Sequence, residues 1–135
     1  MVAARVLNPQ PLALVIEDND DIADIIGEVL KSAGFEVEVL QDGRLALLRI
    51  LDLLPDLIVL DLHLPLADGV EILHDIRADK RMAHIPVIVA TADTHKVDML
   101  GPREQPNHVI IKPFGFRHLC DVAKRYYADA VSAPV

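Results

Sequence analysis

The chain is poor in cysteine, in positive charge and in long apolar runs, and each shortage narrows what it can be. A single cysteine, Cys120, cannot close an internal disulfide. It falls inside an amphipathic helical pattern, where a buried inert thiol is expected. Lys and Arg number 13 against 21 Asp and Glu, for a formal net charge of −8. A chain this acidic binds nucleic acid or anionic membrane poorly, and no basic cluster or aromatic-basic interleaving offsets it. The expectation is therefore no nucleic-acid and no membrane partner. No apolar stretch approaches the roughly 20 residues of a membrane span. The opening residues Met1 to Pro11 are too short and too polar for a signal peptide, so a cytoplasmic location is expected. There is no internal repeat or low-complexity segment. No glycine-rich phosphate loop follows the first strand, which counts against a flavin- or nucleotide-binding role.

What the chain has is 135 residues, 52% of them apolar and 25% charged. That suits one globular domain with a proper core. The expected layout is a tail over 1–11, a domain over 12–128 and a tail over 129–135, frayed from Val131. Short apolar runs near 12–17, 35–40, 56–61, 86–90 and 107–111 read as strands. The first, third and fourth are apolar at nearly every position, the mark of parallel strands covered on both faces. Helical spacing alternates with them. Ile22, Ile25, Ile26, Val29, Leu30 and Ala33 form one stripe, with Asn19 or Asp20 as cap and Gly34 as stop. Further helices are expected near 43–53 and 69–79. The last helix places Phe116, Leu119, Cys120, Ala123 and Tyr127 on one face. The fourth is weak: Asp93 to Leu100 allows about two turns before Gly101-Pro102 ends them.

Chemistry gathers at the strand ends. The first run ends in Glu17-Asp18, the third in Asp61, the fourth in Thr91 and the fifth in Lys112-Pro113. Right-handed crossovers bring all these ends to one edge of the sheet, the edge where open α/β sheets place their ligands. Singly, each has an ordinary reading as turn, cap or solvated cation. In this order, at successive strand ends, they form a constellation. Three converging carboxylates stay ionised only with a compensating cation, and hard oxygen ligands partly open to water suit Mg²⁺. Asp61 is then placed to attack a phosphorus in line. Lys112 and Thr91 offer a charge and a hydroxyl to phosphoryl oxygens, and the small Ala92 leaves room beside them.

These residues carry a resemblance. Val15-Ile16-Glu17-Asp18-Asn19, Asp61-Leu62-His63-Leu64-Pro65 with Asp68-Gly69, Thr91-Ala92 and Lys112-Pro113-Phe114 together resemble the response-regulator receiver domain of two-component signalling. The resemblance is to the single-domain, chemotaxis-regulator-like form. It spans residues 12–128 and implies a flavodoxin-like, doubly wound, five-stranded parallel sheet of order 2-1-3-4-5 with five helices. It implies that Asp61 accepts phosphate from a histidine kinase or phosphotransfer protein. It also implies that Asp18, Asp61 and the backbone carbonyl of His63 ligate Mg²⁺ (or Mn²⁺), with Glu17 close by or acting through water. The Lys112-Pro113 bond would be cis. His63 and Asp93 occupy positions that flank the phosphoryl group and tune its hydrolysis. Pro65 and Gly69 shape the loop after Asp61.

Two features depart from the family pattern. The position three before the lysine usually holds an aromatic that swings inward; here it is Val109. The loop ahead of the fifth strand usually carries a Gly-Ala pair; here it reads Arg103-Glu104-Gln105-Pro106-Asn107. A short, mobile fourth helix with a specialised partner surface is expected. The other histidines, at 74, 84, 95, 108 and 118, have no metal spacing and read as surface or packing residues. The resulting expectation is a phosphoacceptor rather than a dedicated enzyme, acting through an unknown downstream protein. The alternative is a phosphate-independent interaction module of the same fold. A phosphatase on a related fold would want a second acid at His63.

Overall fold

The computed structural model describes residues 10–132. Five strands, β1 (Leu12–Ile16), β2 (Glu36–Leu40), β3 (Leu57–Leu60), β4 (Val87–Thr91) and β5 (His108–Ile111), alternate with five helices. The helices are α1 (Asp20–Ser32), α2 (Ala46–Leu53, entered through a 3₁₀ turn at Gly43–Leu45), α3 (Gly69–Ala78), α4 (Thr94–Asp98) and α5 (Phe116–Ser132). All pairings are parallel, in the order β2-β1-β3-β4-β5. This is the flavodoxin-like doubly wound sheet expected from the sequence.

Every residue of β1, β3 and β4 is buried, as their unbroken apolar runs require. Alternate side chains feed two cores. One lies between the sheet and α1 and α5, around Val15, Ile26, Leu30, Phe35, Val59 and Leu119. The other lies between the sheet and α2 and α3, around Leu14, Ile50, Leu60, Leu73, Ile76 and Val89. α1 carries its own signals: Asn19 accepts a hydrogen bond from the Ile22 N–H at 3.0 Å, Asp20 and Asp21 fill the first turn and Lys31 the last. Gly34 follows at φ +112°, and a Cβ there would meet the Tyr127 ring at 2.6 Å. Conformation and space both demand glycine. The same ring meets Phe35 edge-on at 5.7 Å.

The helix stripes need three corrections. Ile25 is 41% exposed and Phe116 60% exposed, and Cys120 is half-buried rather than buried. In α1 the buried face is rotated towards Ala23 and Gly27, which leaves Ile25 on the flank. In the last loop Phe114, not Phe116, packs on the core. A shallow groove lined by Val29, Ser32, Phe116 and Cys120 remains between α1 and α5. The ends also differ from expectation. α5 continues to Ser132, past residue 128, and Gln10 and Pro11 already bond to Gly34 and Glu36. Residues 1–9 and 133–135 of the expected tails lie outside the described residues. Among the described residues, no helix is long and apolar enough to cross a membrane.

Candidate functional site

β1, β3, β4 and β5 run parallel, so their C-terminal ends deliver Glu17, Asp18, Asp61, Thr91 and Lys112 to one edge. Carboxylate oxygens of Glu17, Asp18 and Asp61 lie within 4.8 Å of one another. Glu17 is 2% and Asp61 7% exposed, and Thr91 is fully buried. Asp18 is exposed and forms the mouth.

Each buried polar group has partners. Asp61 Oδ1 accepts the His63 backbone N–H at 2.9 Å and the Thr91 hydroxyl at 2.8 Å. Asp61 Oδ2 accepts from Lys112 Nζ at 3.2 Å, and the same ammonium donates to Glu17. The Lys112-Pro113 peptide is cis. Asn19 N–H reaches the other Glu17 oxygen at 3.3 Å. Among the described residues no buried side-chain polar atom lacks a partner. Burial pushes the Glu17 carboxyl above its usual value, against the opposing pull of Lys112. Three carboxylates against one ammonium leave two formal negative charges, the amount one divalent cation neutralises. The hard oxygen donors suit such a cation.

The rim is built from β3–α3 and β4–α4. Asp68 caps α3 by accepting the Val70 N–H at 2.9 Å. A Cβ on Gly69 would fall 2.4 Å from Leu62 Cα and 2.6 Å from the Asp61 carbonyl. Glycine is therefore needed for the loop to fold back beside Asp61. Pro65 and Ala92 are exposed on this rim. His63 Nδ1 lies 3.2 Å from Asp93 Oδ2. Asp93 caps α4 through the Lys96 N–H at 3.0 Å, and its own N–H donates to Thr91 Oγ1 at 3.1 Å. The Lys96 N–H, which contributes most, and then His63 hold the Asp93 carboxyl below the usual range against the opposing effect of burial.

The sequence reading missed Lys96, which reaches Asp68 at 3.3 Å. It also missed the ties of α3 to the loop before β5, where His74 meets Glu104 at 3.0 Å. No local spacing signals pairs 28 or 30 residues apart. Val109 is half-buried and packs with Val97 and Leu100 against the α3 core. His108 and His118 meet ring to ring at 5.8 Å, while His84 and His95 are exposed.

A doubly wound sheet with an acid cluster, a hydroxyl and a lysine at its strand ends makes a pocket that fits phosphorylation. The family model described as the response regulator receiver domain matches residues 13–124, and the chain belongs to that family. The DNA-binding response regulator MtrA of Mycobacterium tuberculosis is 37% identical over 102 residues, 75% of this chain. The chain spans 43% of that protein's length. The expectation of no nucleic-acid partner finds no support in such relatives. Chemotaxis response regulator CheY4 of Vibrio cholerae superposes with TM-score 0.77 and 25% identity, covering 87% of this chain and 98% of that one. The receiver domain of sensor histidine kinase PA1611 from Pseudomonas aeruginosa superposes with TM-score 0.77 and 28% identity. It covers 88% of this chain and 98% of its own, and is described with a magnesium ion coordinated in the active site cleft.

Proposed function

We propose that Asp61 accepts a phosphoryl group from a histidine kinase or phosphotransfer protein, and that the phosphorylated chain signals by changing its affinity for a downstream protein. The observation that carries this is the Asp61 carboxylate, buried yet held by Thr91, Lys112 and the His63 N–H. Burying a carboxylate is costly without such partners, and these are the groups a phosphoryl dianion needs. A carboxylate oxygen of Asp61 forms the new O–P bond while the bond to the donor's imidazole nitrogen breaks. The bonding pair stays on that nitrogen. Lys112 and Thr91 hold the transferred oxygens, and Ala92 leaves them space. Transfer of this kind needs positioning and charge compensation rather than covalent assistance.

Asp18, Asp61 and the His63 carbonyl would hold Mg²⁺ (or Mn²⁺), with Glu17 beside it or acting through water. The ion would supply charge neutralisation for the incoming phosphoryl group. His63, oriented by Asp93, screens the phosphoryl group from water and so sets its lifetime. The chain is a phosphoacceptor and not a dedicated enzyme, acting in the cytoplasm. Intact mass after incubation with acetyl phosphate tests this. A one-phosphoryl gain is expected that requires Mg²⁺ and is lost completely in Asp61→Asn. No gain in folded wild-type protein would move the phosphate-independent interaction module to first place.

A further inference from the structure

Polar links run along the seam between the β3–α3 side and the β4–α4 side. Near Asp61, His63 meets Asp93 and Asp68 meets Lys96. Further along, His74 of α3 meets Glu104, and Arg77 of α3 reaches across the seam. The Arg77 guanidinium is half-buried and donates to Gln105 O at 2.8 Å, Asn107 Oδ1 at 2.8 Å, Ala83 O at 3.1 Å and Ile85 O at 2.8 Å. Asn107 Oδ1 in turn accepts the Val87 N–H at 2.9 Å. The segment also folds on itself: Glu104 N–H reaches Gly101 O at 3.1 Å, and the Gln105 side chain reaches the same oxygen at 2.6 Å. The loop ahead of β5 is thus fastened to α3.

α4 itself buries no residue fully. Val97 is partly buried on the core, Asp93 and Lys96 tie one end, and the other end runs on into the fastened loop, with Met99 N–H on Lys96 O at 3.1 Å. Asp93 N–H is bonded to the Thr91 hydroxyl, and that hydroxyl is bonded to Asp61. A phosphoryl group on Asp61 that draws Thr91 towards it must therefore pull on Asp93 and α4. Val109 is already packed, and a β-branched side chain offers no long lever there.

We propose that residues 99–107 are a latch docked on α3 by Arg77 and His74, and that the state of Asp61 reaches this latch through Thr91, Asp93 and Lys96. The output element is then the α3–latch seam, and no inward swing of the side chain at position 109 is involved. This rests on the phosphoacceptor reading above. An allosteric element needs two arrangements biased by the site, and a seam of paired side chains can be made or broken as a unit.

Amide hydrogen exchange on the full chain, with beryllofluoride and Mg²⁺ as the phosphoryl probe, tests it. In wild type, beryllofluoride is expected to change exchange in residues 93–107 and 72–78 together by about threefold or more, leaving β2 and α2 unaltered. In Arg77→Gln, residues 99–107 should exchange about tenfold faster without the probe, and the α3 response should disappear. Acetyl phosphate should still add one phosphoryl mass to this variant. If Arg77→Gln destabilises the whole chain, Glu104→Gln removes one side-chain contact only and should show the same loosening confined to 99–107. Unchanged exchange of 99–107 in folded variants would overturn the latch. A normal mass gain with no probe response at 93–107 would overturn the transmission route while leaving the phosphoacceptor reading intact. Absence of any mass gain in wild type would overturn both.

Discussion

Helices α1 and α4 are both amide-capped by a side chain at their first turn, yet they are held in different ways. α1 has 13 residues, buries Ala23, Ile26, Gly27, Val29 and Leu30, and stops at a glycine that only glycine could supply. α4 has five residues, none fully buried, and keeps its place through the partly buried Val97 together with Asp93, Lys96 and the loop behind it. The first helix is fixed by apolar burial, which has no alternative state close in energy. The second is fixed by one partly buried valine and by polar pairs, whose net worth is small because water competes for them. An element of the second kind can respond to a charge appearing on Asp61; one of the first kind cannot. The difference sets a firmly buried α1 against a lightly held α4, the element to which the proposed response is assigned.

The sharpest way to break this contrast is to empty each helix of its support. Leu30→Ala removes a fully buried side chain from α1 and should lower global stability by about 3 kcal/mol, measured by urea denaturation. A loss below about 1 kcal/mol would mean that α1 is not anchored by its core face. The two caps offer a matched pair. Asn19→Ala should cost about 1 kcal/mol globally. Asp93→Ala should cost less than that, because α4 opens as a local unit, while amide exchange over residues 94–98 rises steeply. Equal global costs would erase the distinction between the helices. The smallest effect is a pH dependence. Glu104 is held below its usual 4.5, chiefly by its bond to His74. The folded form binds that proton less readily than the unfolded chain. Its stabilising contribution is therefore complete above the usual value and disappears as pH falls through the lower folded value. Exchange over 99–107 should quicken across that acid window, and less so in Glu104→Gln. No comparable loosening is expected in α1.

Much of this was legible from local pattern. The unbroken apolar runs of β1, β3 and β4 announced strands covered on both faces, because only burial on both sides tolerates such runs. The end positions of those runs and of β5 announced Glu17, Asp18, Asp61, Thr91 and Lys112, because parallel strands must open on one edge. Gly69 and Gly34 read correctly as turn positions, and the close approaches to Leu62 and Tyr127 supply the steric reason. Periodicity misled where a helix face meets a groove instead of a core. Ile25 and Phe116 keep helical spacing but lie beside the opening between α1 and α5.

The sequence by itself determined the strand order of the chemistry, the parallel sheet and the identity of the acid cluster. Each of those follows from short-range alternation plus the single handedness of the crossover. The tertiary structure alone decided that Lys112 bridges Glu17 and Asp61. It alone decided that Asp93 joins Thr91, His63 and α4, and that Arg77 clasps the loop before β5. Those links join residues far apart in the chain, so no local spacing encodes them. They exist because the packed cores bring the elements together first, and only then are the side chains close enough to pair.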